Sequence, residues 1–144
     1  MSQASPLDLV VHMLSGKSAI VTGSTSGIGL GIARGLAANG ANIMLNGFGD
    51  PNEIEAIRED IANGHNIKVV YSNANMADGD DIGSMMALAE EEFGGVDILV
   101  NNAGIQYVAP IEDFPVEKWD AILAINLSSA FHASRLAIPG MKKR

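Results

Sequence analysis

Ala19-Ile20-Val21-Thr22-Gly23-Ser24-Thr25-Ser26-Gly27-Ile28-Gly29-Leu30-Gly31-Ile32-Ala33 decides the fold. A short β-branched run stops at a glycine, three small hydroxyl residues follow, and glycines then interleave with apolar residues at helical spacing. That order predicts strand, tight turn, helix. Glycine tolerates positive φ in the turn, and at the helix start its missing Cβ lets another chain or a phosphate come up to the backbone. The first N–H groups of a helix have no internal partner and sit at the positive end of its dipole. The turn therefore reads as an anion cradle whose guest is a pyrophosphate. The spacing is Gly-x-x-x-Gly-x-Gly rather than the Gly-x-Gly-x-x-Gly of the general dinucleotide fingerprint. In a chain with 16 glycines, the pattern alone would also suit a turn that binds nothing. Its place between strand and helix favours the cradle.

Outward from this turn the chain keeps alternating. The first helix is predicted to end at Asn39-Gly40, where glycine suits a left-handed cap, and Ala41–Leu45 reads as a buried strand. After the turn Asn46-Gly47-Phe48-Gly49, Asp50 supplies a helix N-cap, Pro51 the first helical position and Glu53 a capping-box acid. Ile54, Ile57 and Ile61 form one apolar stripe on a helix ending near Asn63-Gly64. Ile67–Tyr71 is the third strand. Asp80 or Asp81 opens the next helix, whose Ile82, Met85, Met86, Ala89 and Phe93 share a face. The methionine pair reads as core filling. Val96–Val100 is the fourth strand, and a long helix is expected from Val116 to Ile138, stopped by Pro139-Gly140. Strands alternating with helices predict a doubly wound, Rossmann-like α/β fold with a parallel sheet. Ligands of such sheets lie where strand order reverses, and three loops should meet there: Gly23–Gly29, Asn46–Gly49 and Asn101–Gln106.

A length of 144 residues with 47% hydrophobic content suits one domain with its own core. The formal charge of −8 argues against nucleic-acid or anionic-membrane partners, which need clustered Lys and Arg. Without cysteine, disulfide and thiolate chemistry are excluded, which fits the cytoplasm. No apolar run approaches the roughly 20 residues that span a bilayer, and residues 1–12 lack the features of a secretion signal. They are expected to be a disordered extension, with the fold occupying residues 13–144. His12, His65 and His132 have no ligand spacing, so no metal is expected. Neither Gly-x-Ser-x-Gly nor a Gly-Lys-Ser/Thr after the glycine turn is present, which argues against hydrolase and triphosphatase readings.

Two motifs, Thr22-Gly23-Ser24-Thr25-Ser26-Gly27-Ile28-Gly29 and Val96-Asp97-Ile98-Leu99-Val100-Asn101-Asn102-Ala103-Gly104, resemble those of the short-chain dehydrogenase/reductase family. The resemblance covers only the family's amino-terminal portion, so the fold is expected to be truncated after the fourth strand and the long helix. Within the family, Leu45–Gly49, Ile105-Gln106, Ile111–Pro115 and Glu117–Leu123 are similar to bacterial 3-hydroxybutyrate dehydrogenases. The resemblance implies an NAD-dependent oxidoreductase acting on a small hydroxy acid or ketone, and a homotetramer. It assigns Gly23, Gly27, Ile28 and Gly29 to the pyrophosphate turn and Thr25, Ser26 and Phe48 to the adenosine ribose. Asn75 and Met76 go to the adenine, Asn102, Ala103 and Gly104 to the cofactor at the fourth strand's end, and Gln106 to a substrate carboxylate. Asn126, a mid-helix asparagine that could equally be a surface residue, corresponds to the proton-relay position.

The choice between NAD and NADP is a matter of charge. An acid on the ribose hydroxyls is expected about 20 residues past the glycines, yet position 46 is Asn, and Asp50 is better explained as a cap. Equally, no Lys or Arg lies between Arg34 and Arg58 to neutralise a 2′-phosphate. An unpaired phosphate is the costlier mismatch, which favours NAD. Arginine at Phe48 or Asn46 is expected to shift preference toward NADP. The family's Ser and Tyr-x-x-x-Lys are absent: Tyr71 and Tyr107 are followed at the fourth position by Asn75 and Ile111. A non-catalytic dinucleotide-binding or interaction module therefore remains open, and the 144-residue chain is expected to be inactive alone.

Overall fold

The computed structural model describes residues 13–144; the extension expected at residues 1–12 lies outside them. Strand and helix alternate as β1 (Ser18–Val21), α1 (Gly27–Ala38), β2 (Asn42–Asn46), α2 (Pro51–His65), β3 (Val69–Ser72), α3 (Gly79–Phe93) and β4 (Ile98–Val100). A 3-10 turn (Ile111–Asp113), α4 (Val116–Leu123), a π-helical segment (Ala124–Ser128) and α5 (Ser129–Lys143) follow. Every strand pairing is parallel, and the sheet order is β3-β2-β1-β4. The order reverses between β1 and β4, the switch point of a doubly wound fold.

Successive strand residues point to opposite faces. Ala19 and Val21 of β1, with Ile43 and Leu45 of β2, enter one core together with Ala33, Ala37 and Ile61 from α1 and α2. Ile20 and Met44 enter the other core, against Ile82, Met85, Met86 and Ala89 of α3 and Ala133 and Ala137 of α5. The sheet is covered on both faces, which is why its strands read as continuous apolar runs rather than alternating ones. The methionine pair is core filling, as its spacing suggested.

Several boundaries differ from the sequence reading. The cap of α3 is Asp78, not Asp80 or Asp81: its carboxylate accepts the Asp80 N–H at 2.9 Å and the Asp81 N–H at 3.4 Å. Asp80 and Asp81 fall in the first turn, where the dipole favours acids. Helix α2 continues past Asn63-Gly64 and ends at Asn66, held left-handed at φ 51°, a conformation asparagine tolerates. Pro139 does not stop the last helix, which runs through it to Lys143. Proline removes one helical bond and crowds the carbonyl four residues back, but tertiary contact retains the turn. Met141 packs on the α3-side core, and Arg144 donates to Val96 O at 2.6 Å.

The continuous helical run Val116–Lys143 also corrects the expectation about membrane-length segments. It holds an 18-residue window of mean hydropathy 1.3, long and apolar enough to cross a membrane by length and composition. Interspersed Asn, Ser and His hid this from a search for unbroken apolar runs. Its Ala133 and Ala137 are buried in the domain, while Val116, Trp119, Leu127 and Phe131 face outward. Strand β4 pairs with β1 and has no second neighbour among the described residues. Open edges and apolar faces favour association. The 144-residue polypeptide is therefore expected to self-associate in light scattering, and a sharp monomer with cooperative thermal unfolding would contradict this.

Candidate functional site

At the end of β1 the chain is bolted to the loop that leaves β4. Thr22 Oγ1 accepts the N–H groups of Asn102 at 3.0 Å and Ala103 at 2.9 Å, and Asn102 Nδ2 donates to the carbonyls of Thr22 and Gly23, both at 3.0 Å. Gly23 turns at φ 61°, and a Cβ there would lie 3.0 Å from Ala103 Cα. A Cβ on Gly29 would collide with the Gly23 carbonyl, so α1 packs directly on the turn. Gly27, at φ 58°, is different: a Cβ there would meet nothing within 4 Å. Conformation alone asks for glycine at that position, and the space beside it is open.

The start of α1 is electrostatically incomplete. Ser26 occupies the N-cap position without a side-chain cap bond, and the first turn contains no acid. By contrast, Asp50 accepts the Asn52 and Glu53 N–H groups at 2.9 and 3.1 Å at the start of α2, and Asp78 serves α3. With no carboxylate to answer them, the first amides of α1 are left for an outside anion. A diphosphate suits this donor set: free amides, a positive helix end, and glycines that admit close approach.

Asn46 is the residue that sequence reasoning undervalued. It is 1% exposed at the end of β2. Its Oδ1 accepts the Gly23 N–H at 3.1 Å, and its Nδ2 donates to Ser72 O at 3.2 Å and Ala74 O at 3.1 Å. Its backbone N–H donates to Ser24 Oγ at 3.0 Å. Every polar atom of the side chain is thus engaged with β1 or β3. This corrects the expectation that arginine at Asn46 would test cofactor preference, because the position faces the interior and a cation there would disrupt the sheet. Asn46 reads in sequence as a turn residue; only its pairing opposite Ser72 in the β2–β3 register buries it.

The three loops do meet. A cavity of about 300 Å³ is lined by Gly23, Thr25 and Ser26 from the first, and by Asn46, Gly47 and Phe48 from the second. Asn102, Ala103, Gly104 and Ile105 form its third side. Asn75 and Met76 join them after β3, with Ala74 and Ile125 completing the wall. Gly27, Ile28, Gly29 and Gln106 lie outside this lining; Ile28 and Gln106 are exposed. Met76 is 6% exposed and belongs to the core as well. The side-chain oxygen of Asn75 already accepts the Ala77 N–H at 2.9 Å, so the acceptor that stood in for an acid is partly engaged.

Asn126 sits in the π-helical segment, which the sequence did not signal. Its amide clamps the backbone of Ile105 in both directions, Oδ1 accepting the N–H and Nδ2 donating to the carbonyl, each at 2.8 Å. It is therefore neither an idle surface residue nor free to offer its side chain to a ligand. Tyr71 donates to Gly47 O and stands outside the cavity lining. Tyr107 packs edge-on against Phe114, with the Lys118 ammonium 5.6 Å above its ring. No cluster of three metal-ligating residues occurs among the described residues, and His12 lies outside them.

The profile of the short chain dehydrogenase family matches residues 17–144. The chain belongs to the short-chain dehydrogenase family. It is 62% identical to D-beta-hydroxybutyrate dehydrogenase of Cupriavidus necator over 133 residues, covering 92% of this chain and 50% of the relative. It is 57% identical to D-beta-hydroxybutyrate dehydrogenase of Rhizobium meliloti over 128 residues, 89% of this chain and again 50% of the relative. Among solved structures, L-sorbose reductase from Gluconobacter frateurii, complexed with NADPH and L-sorbose, superposes with a TM-score of 0.87 at 32% identity. That match covers 93% of this chain and 51% of the reductase. The chain thus spans about half the length of the dehydrogenases it matches, and it is an oxidoreductase-family chain with the family's parallel sheet.

The buried amide makes a direct test. Asn46→Leu should cost on the order of 3 kcal/mol or more in chemical denaturation, since Gly23 N–H and two carbonyls lose their partner. Phe48→Ala, on the exposed loop, should cost only a few tenths of a kcal/mol. Similar costs for both would contradict the network.

Proposed function

We propose that this chain forms the cofactor-binding half of an NAD-dependent short-chain dehydrogenase that oxidises a small secondary alcohol, with 3-hydroxybutyrate to acetoacetate as the reaction. The observation that carries it is the convergence of three strand-end loops on an uncapped, glycine-rich helix start. The two hydroxybutyrate dehydrogenases at 62% and 57% identity support the substrate class. The cytoplasm and a homotetramer follow from the family resemblance and belong to the same proposal.

The bound dinucleotide supplies the hydride acceptor. In this reading the amides of Gly27, Ile28 and Gly29 receive its diphosphate, Thr25, Ser26 and Phe48 face the adenosine ribose, and Asn75 and Met76 border the adenine. Asn102, Ala103 and Gly104 flank the nicotinamide side, where Asn126 holds Ile105 in place. The amide of Gln106 donates to the substrate carboxylate. With its side chain engaged, any part of Asn126 in a proton relay falls to its backbone. A base must take the hydroxyl proton as hydride leaves, and neither tyrosine of this sequence has a lysine four residues on. Burial also raises the Tyr71 phenol further from neutrality.

Preference for NAD over NADP is supported by the positions of the cations. Arg34 pairs with Asp60 at 2.8 Å, while Arg58 pairs with Glu55 and donates to Val69 O at 3.1 Å. Both arginines flanking the loop are committed away from it. The solved L-sorbose reductase carries NADPH, so the difference would lie in this loop. Phe48 is the exposed loop position where a cation can be installed.

Titration should show NADH bound more tightly than NADPH, and Phe48→Arg should move the ratio toward NADPH by about tenfold through a charge-assisted contact. An unchanged ratio would contradict the assignment of this loop to the ribose. With 3-hydroxybutyrate and NAD, the 144-residue chain should turn over at least about 10² to 10⁴ more slowly than an enzyme with its base in place. Full-rate NADH formation would refute the missing-base argument.

A further inference from the structure

The loop after β2 is held by two hydroxyls. Tyr71, on β3, donates to Gly47 O at 2.5 Å, and Thr25 Oγ1, in the turn after β1, donates to Phe48 O at 3.2 Å. Two consecutive carbonyls are thus tied to two different strand ends. The backbone between them is intrinsically permissive: Gly47 and Gly49 adopt φ of 152° and 157°, a region that only glycine enters readily. A Cβ at Gly47 would run into Thr25 Oγ1, so the tether and the glycine are matched. Tyr71 is half-buried, and burial raises its phenol, so the group remains a protonated donor through the neutral range. Asn46 anchors the near end of the loop and Asp50 caps α2 at the far end.

We infer that Tyr71 and Thr25 are positioning residues that hold Gly47–Gly49 in one conformation, and that this tether adds a selection by shape between NAD and NADP at the adenosine ribose to the one that the absence of a nearby cation supplies. The inference rests on the cofactor reading above. The loop contains no Lys, Arg, Asp or Glu between Asn46 and Gly49. The nearest acid in sequence, Asp50, accepts two amides of α2. The loop itself can then contribute through shape: a fixed backbone presenting Phe48 has a set clearance, and a loosened one can adjust to the bulkier phosphorylated ribose.

The test pairs a measurement without ligand and one with it, on the whole chain carrying Tyr71→Phe, Thr25→Val or Thr25→Ser. Backbone order parameters of the Phe48 and Gly49 amides should fall from near the rigid value of about 0.85 toward about 0.6 in Tyr71→Phe and Thr25→Val, while amides of β1 and β2 keep their rigid values and so report an intact fold. Thr25→Ser, which keeps the hydroxyl, should match the parent. In titrations, the two tether-breaking variants should lose about two- to tenfold in NADH affinity, the worth of one hydrogen bond, with NADPH affinity unchanged, so that selectivity narrows. Unchanged order parameters in both variants overturn the tether, even if dinucleotides bind. Lowered order parameters with an unchanged NADH to NADPH ratio overturn the selectivity claim. Failure of the parent chain to bind either dinucleotide overturns the cofactor reading and the selectivity claim together, and the order parameters then judge the tether alone.

Discussion

A small set of buried side-chain hydrogen bonds joins the carboxyl ends of all four strands. Asn46, closing β2, bonds to Gly23 beyond β1 and to Ser72 and Ala74 at the end of β3, while Thr22 and Asn102 join the exits of β1 and β4. Parallel strands leave their carboxyl ends side by side, and the loops that depart from them carry backbone groups that the ladder no longer pairs. Filling those valences with Asn and Thr fixes the relative positions of the loops. The cavity between them is a consequence of that fixing, since its lining comes mainly from the loops that leave the strands.

The same economy of partners explains where an anion belongs. Helices α2 and α3 begin with an aspartate that answers their free amides, and α1 does not. The carboxylate that would cap α1 is replaced by open space next to Gly27. For a chain of net charge −8, the start of α1, uncapped and without an acid in its first turn, is a localised attraction for a phosphate group that the overall field does not provide. The half-length match to hydroxybutyrate dehydrogenases gives that attraction a chemical setting.

What was legible in the sequence was whatever the local chain demands by itself. The glycines at 23, 27 and 29 declare themselves because positive φ and close approach exclude side chains. The Asp50-Pro51 helix start, the Ile54 and Ile61 stripe and the Met85-Met86 core face follow from capping and period. Features that depend on another element were not legible. Asn46 is buried by its register with β3, and Asp78 outcompetes the two aspartates beside Gly79. Pro139 is tolerated because Met141 and Arg144 find partners on the core and at the start of β4. The π-helical turn at Asn126 and its clamp on Ile105 arise from packing against a loop with no secondary structure of its own, so no periodicity announces them.

The central claim is that a diphosphate rests on the first amides of α1. Titrating NADH into soluble, folded, isotope-labelled chain and following the backbone amide signals of residues 23–29 tests it most directly. Saturable shifts concentrated at Gly27, Ile28 and Gly29, with the starts of α2 and α3 unmoved, are the predicted result. Signals of residues 23–29 that stay in place at saturating NADH, or shifts confined to a capped helix, would contradict the account.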